Sequence, residues 1–278
     1  MFTSASAASR IDYGVNRVGH RQLRRQWTPS GVPKAVILLI HGIAEHSGRY
    51  ERVGAQLAAA GFGVVAIDQR GHGRTEGRKG HVDKFTEFHD DVEDQLAELR
   101  TVGVPVVLLG HSMGGLVSTS YAISDRPQPD LLVLSGPALG VGIPKWQIFA
   151  AQKLSQLAPT FHPKVPFDTA VLSRDPAVGE AYRSDPDIKP GASVNLANEL
   201  IETATATAAR VRAELTLPTL CLHGGDDELV PAEASAVLDG MANVERRVLD
   251  GLRHEIFNEP EGPEVVAQVI AWLDRQLA

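Results

Sequence analysis

Val106-Val107-Leu108-Leu109-Gly110-His111-Ser112-Met113-Gly114-Gly115-Leu116-Val117 is the stretch whose reading decides the fold. Its first four residues are apolar with no polar alternation, the pattern of a strand buried on both faces. G-x-S-x-G follows at once, and the residues from Gly115 to Tyr121 suit a helix. A serine at so tight a strand-to-helix turn is held in a strained backbone conformation. Gly110 and Gly114 leave the room that the turn needs, because a Cβ at either place would collide with neighbouring chain. The hydroxyl is driven out of the sheet, toward the free N–H groups of the helix N-terminus. Ser112 is therefore the candidate nucleophile. A phosphate-binding loop does not fit, since no Gly-Lys-Ser/Thr follows.

Working outward, similar short apolar runs occur at Val36–Ile40, Val64–Ile67, Leu131–Leu134 and Thr219–Leu222. Helical spacing lies between them, over Tyr50–Ala60 and Phe85–Arg100. This alternation predicts an α/β chain with a mostly parallel, doubly wound sheet. The pattern breaks from about Ala138 to Leu217, too long for an ordinary connection. Seven prolines punctuate that stretch, from Pro144 to Pro190, with helical patterns at Lys145–Leu157 and Val194–Arg212. The expectation is a helical cap over residues 138–213, inserted into a core made of 1–137 and 214–278. Beyond it come a helix near Ala232–Met241, a strand at Val244–Leu249 and a closing helix at Pro263–Leu277.

A serine hydroxyl is a weak nucleophile until a base takes its proton. A serine on such an elbow is followed along the chain by its acid and then its histidine. His254, in the loop after the last strand, satisfies that order. His223 does not, because it precedes every acid of the following turn. The turn Gly224-Gly225-Asp226-Asp227-Glu228-Leu229-Val230-Pro231 offers the acid, and its G-x-x-D-x-x-V-P spacing selects Asp227. Asp226 is the alternative, Glu228 reads as a solvated charge, and Asp250 lies only four residues before His254. Acyl transfer also needs donors for a developing oxyanion. The backbone N–H of Met113 is one. The N–H of Ile43, in the loop after Val36–Ile40, is the natural second. Among the other histidines, His41 reads as a turn brace, His111 should face away from the nucleophile, and His72 and His81 are loop residues.

The whole chain bounds the rest. It has 278 residues, 43% apolar and 22% charged, with a formal net charge of −7. That charge argues against binding a phosphate backbone, so no nucleic-acid partner is expected. The lone Cys221 sits in an apolar run and reads as a core residue, with no internal disulfide available. No apolar run reaches the roughly 18 residues of a membrane span. Met1–Arg10 lacks the apolar segment of a secretion signal, so a cytoplasmic location is expected. Scattered histidines without ligand spacing point to no metal, and no cofactor is expected.

The chain resembles the monoacylglycerol lipases of the α/β-hydrolase superfamily and their lysophospholipase-like relatives. The resemblance is carried by His41-Gly42, Glu45-His46-Ser47-Gly48-Arg49-Tyr50, Asp68-Gln69-Arg70-Gly71-His72-Gly73, the elbow, and His254-Glu255-Ile256-Phe257-Asn258-Glu259. Ser173-Arg174-Asp175-Pro176, Tyr182 and Asp185-Pro186 look like bacterial members. The resemblance implies an α/β-hydrolase fold whose cap forms an apolar acyl tunnel. It implies hydrolysis of fatty-acid monoesters of glycerol, with Ser112, Asp227 and His254 as triad and Ile43 and Met113 as oxyanion donors. Glu45 and Arg49 match polar positions facing the glycerol, although an ion pair holding the loop suits them equally. The alternatives are a carboxylesterase or lysophospholipase of different head-group preference and, more remotely, a non-catalytic binding protein on the same scaffold. In the cap, Trp146, Phe149, Ala150, Lys153, Leu154 and Leu157 share one helical face. That face either packs inward or forms an apolar lip giving peripheral contact with membranes or lipid aggregates.

Overall fold

All five apolar runs, and the strand expected at Val244–Leu249, become strands of one sheet. The computed structural model describes residues 8–140, 152–164 and 167–278. Along the chain it contains β1 (Arg10–Val15), β2 (Arg21–Trp27), β3 (Val36–Ile40), α1 (Glu51–Ala59), β4 (Gly63–Ile67), α2 (Thr86–Arg100), β5 (Val106–His111) and α3 (Met113–Ala122). After these come β6 (Leu131–Ser135), α4 (Pro176–Ser184), α5 (Val194–Glu214), β7 (Thr219–Gly224), β8 (Val244–Leu249) and α6 (Gly262–Gln276). The strand order is β1-β2-β4-β3-β5-β6-β7-β8. Neighbours from β4 to β8 run parallel, whereas β1 with β2 and β2 with β4 are antiparallel. This is the α/β-hydrolase architecture expected of the sequence.

Parallel strands need both faces covered, and the apolar residues divide accordingly. Val36, Leu38, Ile40, Val106 and Leu108 join a core with α2, α3 and α5. Ile37, Leu39, Val107 and Leu109 join a second core with α1 and α6. α3 is buried at all ten positions, which explains why its sequence shows no polar face. Register places Ile40 opposite Gly110, Gly110 opposite Leu134, and Ser135 opposite Leu222. The carboxyl ends of β3, β5, β6 and β7 therefore finish level, and their loops gather at one edge, where open α/β sheets hold ligands.

Three elements differ from the sequence expectation. The β1–β2 hairpin had no apolar run to announce it. β2 instead carries Arg24 and Arg25, which distant acids satisfy: Arg24 pairs with Asp12 and Glu98, and Arg25 with Glu51. The stretch near Ala232–Met241 is a 3-10 helix over Ala232–Leu238, with Ser235 turned inward to side chains of β7 and β8. α4 was not anticipated. It begins at Pro176, with the Asp175 side chain capping Ala177 N–H, as prolines and aspartates favour at helix starts.

Between β6 and β7 the described residues are not uniform. Leu196, Ala204 and Val211 of α5 belong to the sheet's own core, and α5 packs on α3. Around α4, Leu172, Tyr182 and Ile188 form a small separate cluster. Residues 152–157 are helical, with Leu154 and Leu157 exposed. Trp146, Phe149 and Ala150 of the apolar stripe lie outside the described residues.

Candidate active site

The elbow is built as its glycines require. Ser112 has φ 54° and ψ −118°, a left-handed-side backbone that L residues rarely adopt. A Cβ on Gly110 would lie 2.2 Å from the Gly114 carbonyl oxygen, and one on Gly114 would lie 2.2 Å from that of Ile40. Ser112 N–H donates to Ser135 O at 2.9 Å, tying the turn to β6.

His254 comes to Ser112 from the loop between β8 and α6. Two flanking backbone anchors hold that loop: Arg253 N–H donates to the buried Glu259 carboxylate at 2.7 Å, and Glu255 N–H donates to Leu172 O at 2.8 Å. His254 Nε2 lies 2.9 Å from Ser112 Oγ, and Nδ1 lies 2.7 Å from Asp227 Oδ2. The other Asp227 oxygen accepts from Leu229 N–H at 3.0 Å and Val230 N–H at 2.9 Å. Burial by itself would raise the Asp227 carboxyl, but hydrogen bonds from His223 and His254 and the nearby imidazole charge hold it well below the usual carboxylate range. Asp226, the alternative acid, is exposed. Glu228 is exposed as expected.

The loop after β3 forms the facing wall. Ile43 and Met113 both line the site cavity, and among the described residues neither backbone N–H has a hydrogen-bond partner. Two polar anchors shape this loop. His41, fully buried, receives Gln69 N–H on Nε2 at 2.9 Å and donates from Nδ1 to Gly42 O at 2.7 Å. Burial pulls its pKa down to about 4, so it stays neutral. It braces the turn. Glu45 accepts from Gly42 N–H and from Tyr50 Oη at 2.8 Å. Arg49 binds Glu45 at 3.2 Å and grips both oxygens of Glu255. The second of those Glu255 bonds is 2.8 Å, and Asn258 Nδ2 donates to the same oxygen at 2.9 Å. Glu45 and Arg49 thus face the cavity while paired to their neighbours.

His111 departs from expectation. Its ring packs 4.8 Å from that of His254, centroid to centroid, instead of turning away. Its Nδ1 lies 3.0 Å from Ser135 Oγ, and burial keeps it neutral by lowering its pKa well below the ordinary value. Sequence reasoning also missed Glu255, whose adjacency to His254 was visible while its pairing with Arg49, 206 positions away, was not.

The cavity above Ser112 measures about 390 Å³. Glu45, Arg49, Tyr182 and Glu255 contribute polar groups to its lining, and Ala138, Leu200, Leu229, Val230 and Pro231 contribute apolar ones. The Tyr182 ring lies 5.2 Å from the Arg49 guanidinium. Side chains from the 138–213 stretch line part of the cavity, and the stretch connects to the rest of the chain by polar contacts. His46 Nε2 donates to Asp185 at 2.9 Å, Arg74 pairs with Asp187 at 2.6 Å, and Arg174 N–H donates to Glu259 at 3.0 Å. Among the described residues, no helix is long and apolar enough to cross a membrane.

Residues 31–261 match the family described as serine aminopeptidase, S33. A monoacylglycerol lipase of Mycolicibacterium smegmatis is 38% identical over 255 residues, covering 89% of this chain and 90% of that protein. A phospholipase of Bacillus subtilis is 35% identical, covering 88% of this chain and 97% of its own length. The crystal structure of a Paleococcus ferrophilus monoacylglycerol lipase superposes with a TM-score of 0.80 at 30% identity, covering 90% of this chain and 97% of that one.

Proposed function

The chain belongs to the serine aminopeptidase S33 family of α/β-hydrolases, and from that premise we propose that it hydrolyses monoacylglycerols to glycerol and free fatty acid through an acyl-enzyme on Ser112. One observation carries the reading: a Ser112–His254–Asp227 hydrogen-bonded chain opens onto a cavity lined by both apolar and polar side chains. His254 takes the Ser112 proton as Oγ attacks the ester carbonyl, and Asp227 stabilises the imidazolium. The N–H groups of Ile43 and Met113 receive the oxyanion. His254 then protonates the departing glycerol oxygen, and a water hydrolyses the acyl-enzyme. The apolar lining suits the acyl chain. Glu45 and Arg49 suit the glycerol while their pairing keeps the oxyanion loop in shape. Residues 138–213 act as the cap. Its exposed Leu154, Leu157 and Phe161 suit peripheral contact with lipid aggregates, and liposome flotation of the purified protein tests that contact.

The similarity to a phospholipase supports a second reading, in which a lysophospholipid is the substrate. A panel of 1- and 2-monoacylglycerols, lysophosphatidylcholine and short p-nitrophenyl esters decides between them by kcat/KM. Ser112→Ala is expected to cost about 10⁴-fold or more in turnover and to abolish fluorophosphonate labelling, with the melting temperature preserved. Retained esterase activity in that variant refutes the mechanism.

A further inference from the structure

His223 failed the chain-order test for a catalytic base, yet the fold brings it to the site from behind. It is the penultimate residue of β7 and is fully buried. Its Nε2 lies 2.7 Å from Val230 O and 3.4 Å from Asp227 Oδ2, the same oxygen that receives His254. A carbonyl only accepts, so Nε2 carries the proton. Nδ1 is then free to accept from Ser235 Oγ at 2.8 Å, and Ser235 in turn accepts from Arg246 Nε at 2.8 Å.

We propose that His223 is a positioning residue for Asp227, its Nε2–H clamping the turn at Val230 and facing the carboxylate oxygen that orients His254. This rests on the assignment of Asp227 as the acid in the proposed function. The short bond to Val230 O fixes the turn whose N–H groups hold Asp227 Oδ1. The longer approach to Oδ2 directs a dipole at the carboxylate, and it agrees with His223 being among the groups that lower the Asp227 carboxyl. Ser235, which also meets Ala232 O and Arg246, contacts Nδ1 from outside the site. The other charged or titratable groups near this chain include the buried Cys221 thiol beside Ser235, Asp239 on Arg246, His111 against His254, and the Arg49–Glu255 pair.

The test compares His223→Phe, which keeps a ring and loses both nitrogens, with His223→Gln, whose amide N–H can reach Val230 O. In His223→Phe, kcat is expected to fall about tenfold with KM unchanged. With one donor fewer, Oδ2 becomes more basic, and the acid limb of the kcat profile moves up by about half a pH unit. His223→Gln recovers most of both. Ser235→Ala, a milder change that keeps the test alive if the Phe variant fails to fold, gives about a threefold fall in kcat in the same direction. A folded variant that loses only thermal stability, with wild-type kcat and acid limb, overturns the proposal, as does a Gln variant no better than Phe. Asp227→Asn, run alongside, is expected to cost about 10³-fold or more. If it stays active, the acid assignment itself fails. If it is inactive while the His223 variants behave as wild type, only the role of His223 falls.

Discussion

The carboxyl edge of the sheet and the stretch that roofs it are held by different forces. At the edge, backbone meets backbone at van der Waals limits: Gly110 and Gly114 have no room for a single extra carbon, and every residue of α3 is buried. In the roof, the cluster of Leu172, Tyr182 and Ile188 is small, and side-chain charges supply much of the attachment, as in His46–Asp185, Arg74–Asp187 and Arg174–Glu259. Close packing is unforgiving and keeps reacting atoms within tenths of an ångström. Exposed charge pairs are individually weak. The contrast teaches that the Ser112 elbow sits in the closely packed region, while the 138–213 stretch around α4 relies more on side-chain charges.

Gly114→Ala strikes the rigid side and should have the largest effect. Its Cβ would meet Ile40 O at 2.2 Å and His41 O at 2.5 Å, so β3 or the elbow must move. Stability is expected to fall by about 3 kcal/mol, and kcat/KM by about 10²-fold or more, since a displacement of roughly an ångström does that much. Urea unfolding and steady-state kinetics measure both; unchanged values would mean that the edge is softer than its contacts imply. Arg49→Met strikes the seam between the two regions. It leaves Glu45 and Glu255 buried without a cation, at a cost of about 3 kcal/mol. Adding Glu255→Gln should recover part of the lost melting temperature, and no recovery would show that the pair does not act as a unit.

Asp185→Asn strikes the roof and should matter least, about 1 kcal/mol for a single half-buried hydrogen bond. Burial tends to raise the Asp185 carboxyl, but the hydrogen bonds from His46 and from Asp187 N–H, with the nearby His46 and Arg49 charges, together outweigh it and lower the pKa. A lowered carboxyl pKa contributes stability that is complete above the unfolded value of about 3.9 and lost as pH falls through the folded one. The difference in melting temperature between wild type and variant should therefore be present at neutral pH and vanish in acid. A difference that persists in full below the folded carboxyl pKa contradicts a stabilising His46–Asp185 contact.

Much of this was legible beforehand for identifiable reasons. A strand buried on both faces must be apolar throughout, so β3 to β7 appear as unbroken runs. An elbow must have glycines on both sides of its serine. β1 and β2 stayed hidden because their arginines are satisfied by Asp12, Glu51 and Glu98, partners that local pattern cannot supply. α5 reads locally as part of the inserted stretch, yet its buried face belongs to the sheet core. His223 was dismissed on chain order, which governs which residue reaches the serine and says nothing about what supports the acid.

From the chain alone came the parallel part of the sheet, the elbow and the order of serine, acid and histidine, because local sterics and burial on both faces leave marks within a few residues. Tertiary structure alone decided that Arg49 grips Glu255, that His111 lies against His254, that His223 stands behind Asp227 and that the roof is tied by scattered charges. Those contacts form between groups that meet only after the strands have aligned. No short-range periodicity encodes them, since each depends on two distant stretches arriving at the same place.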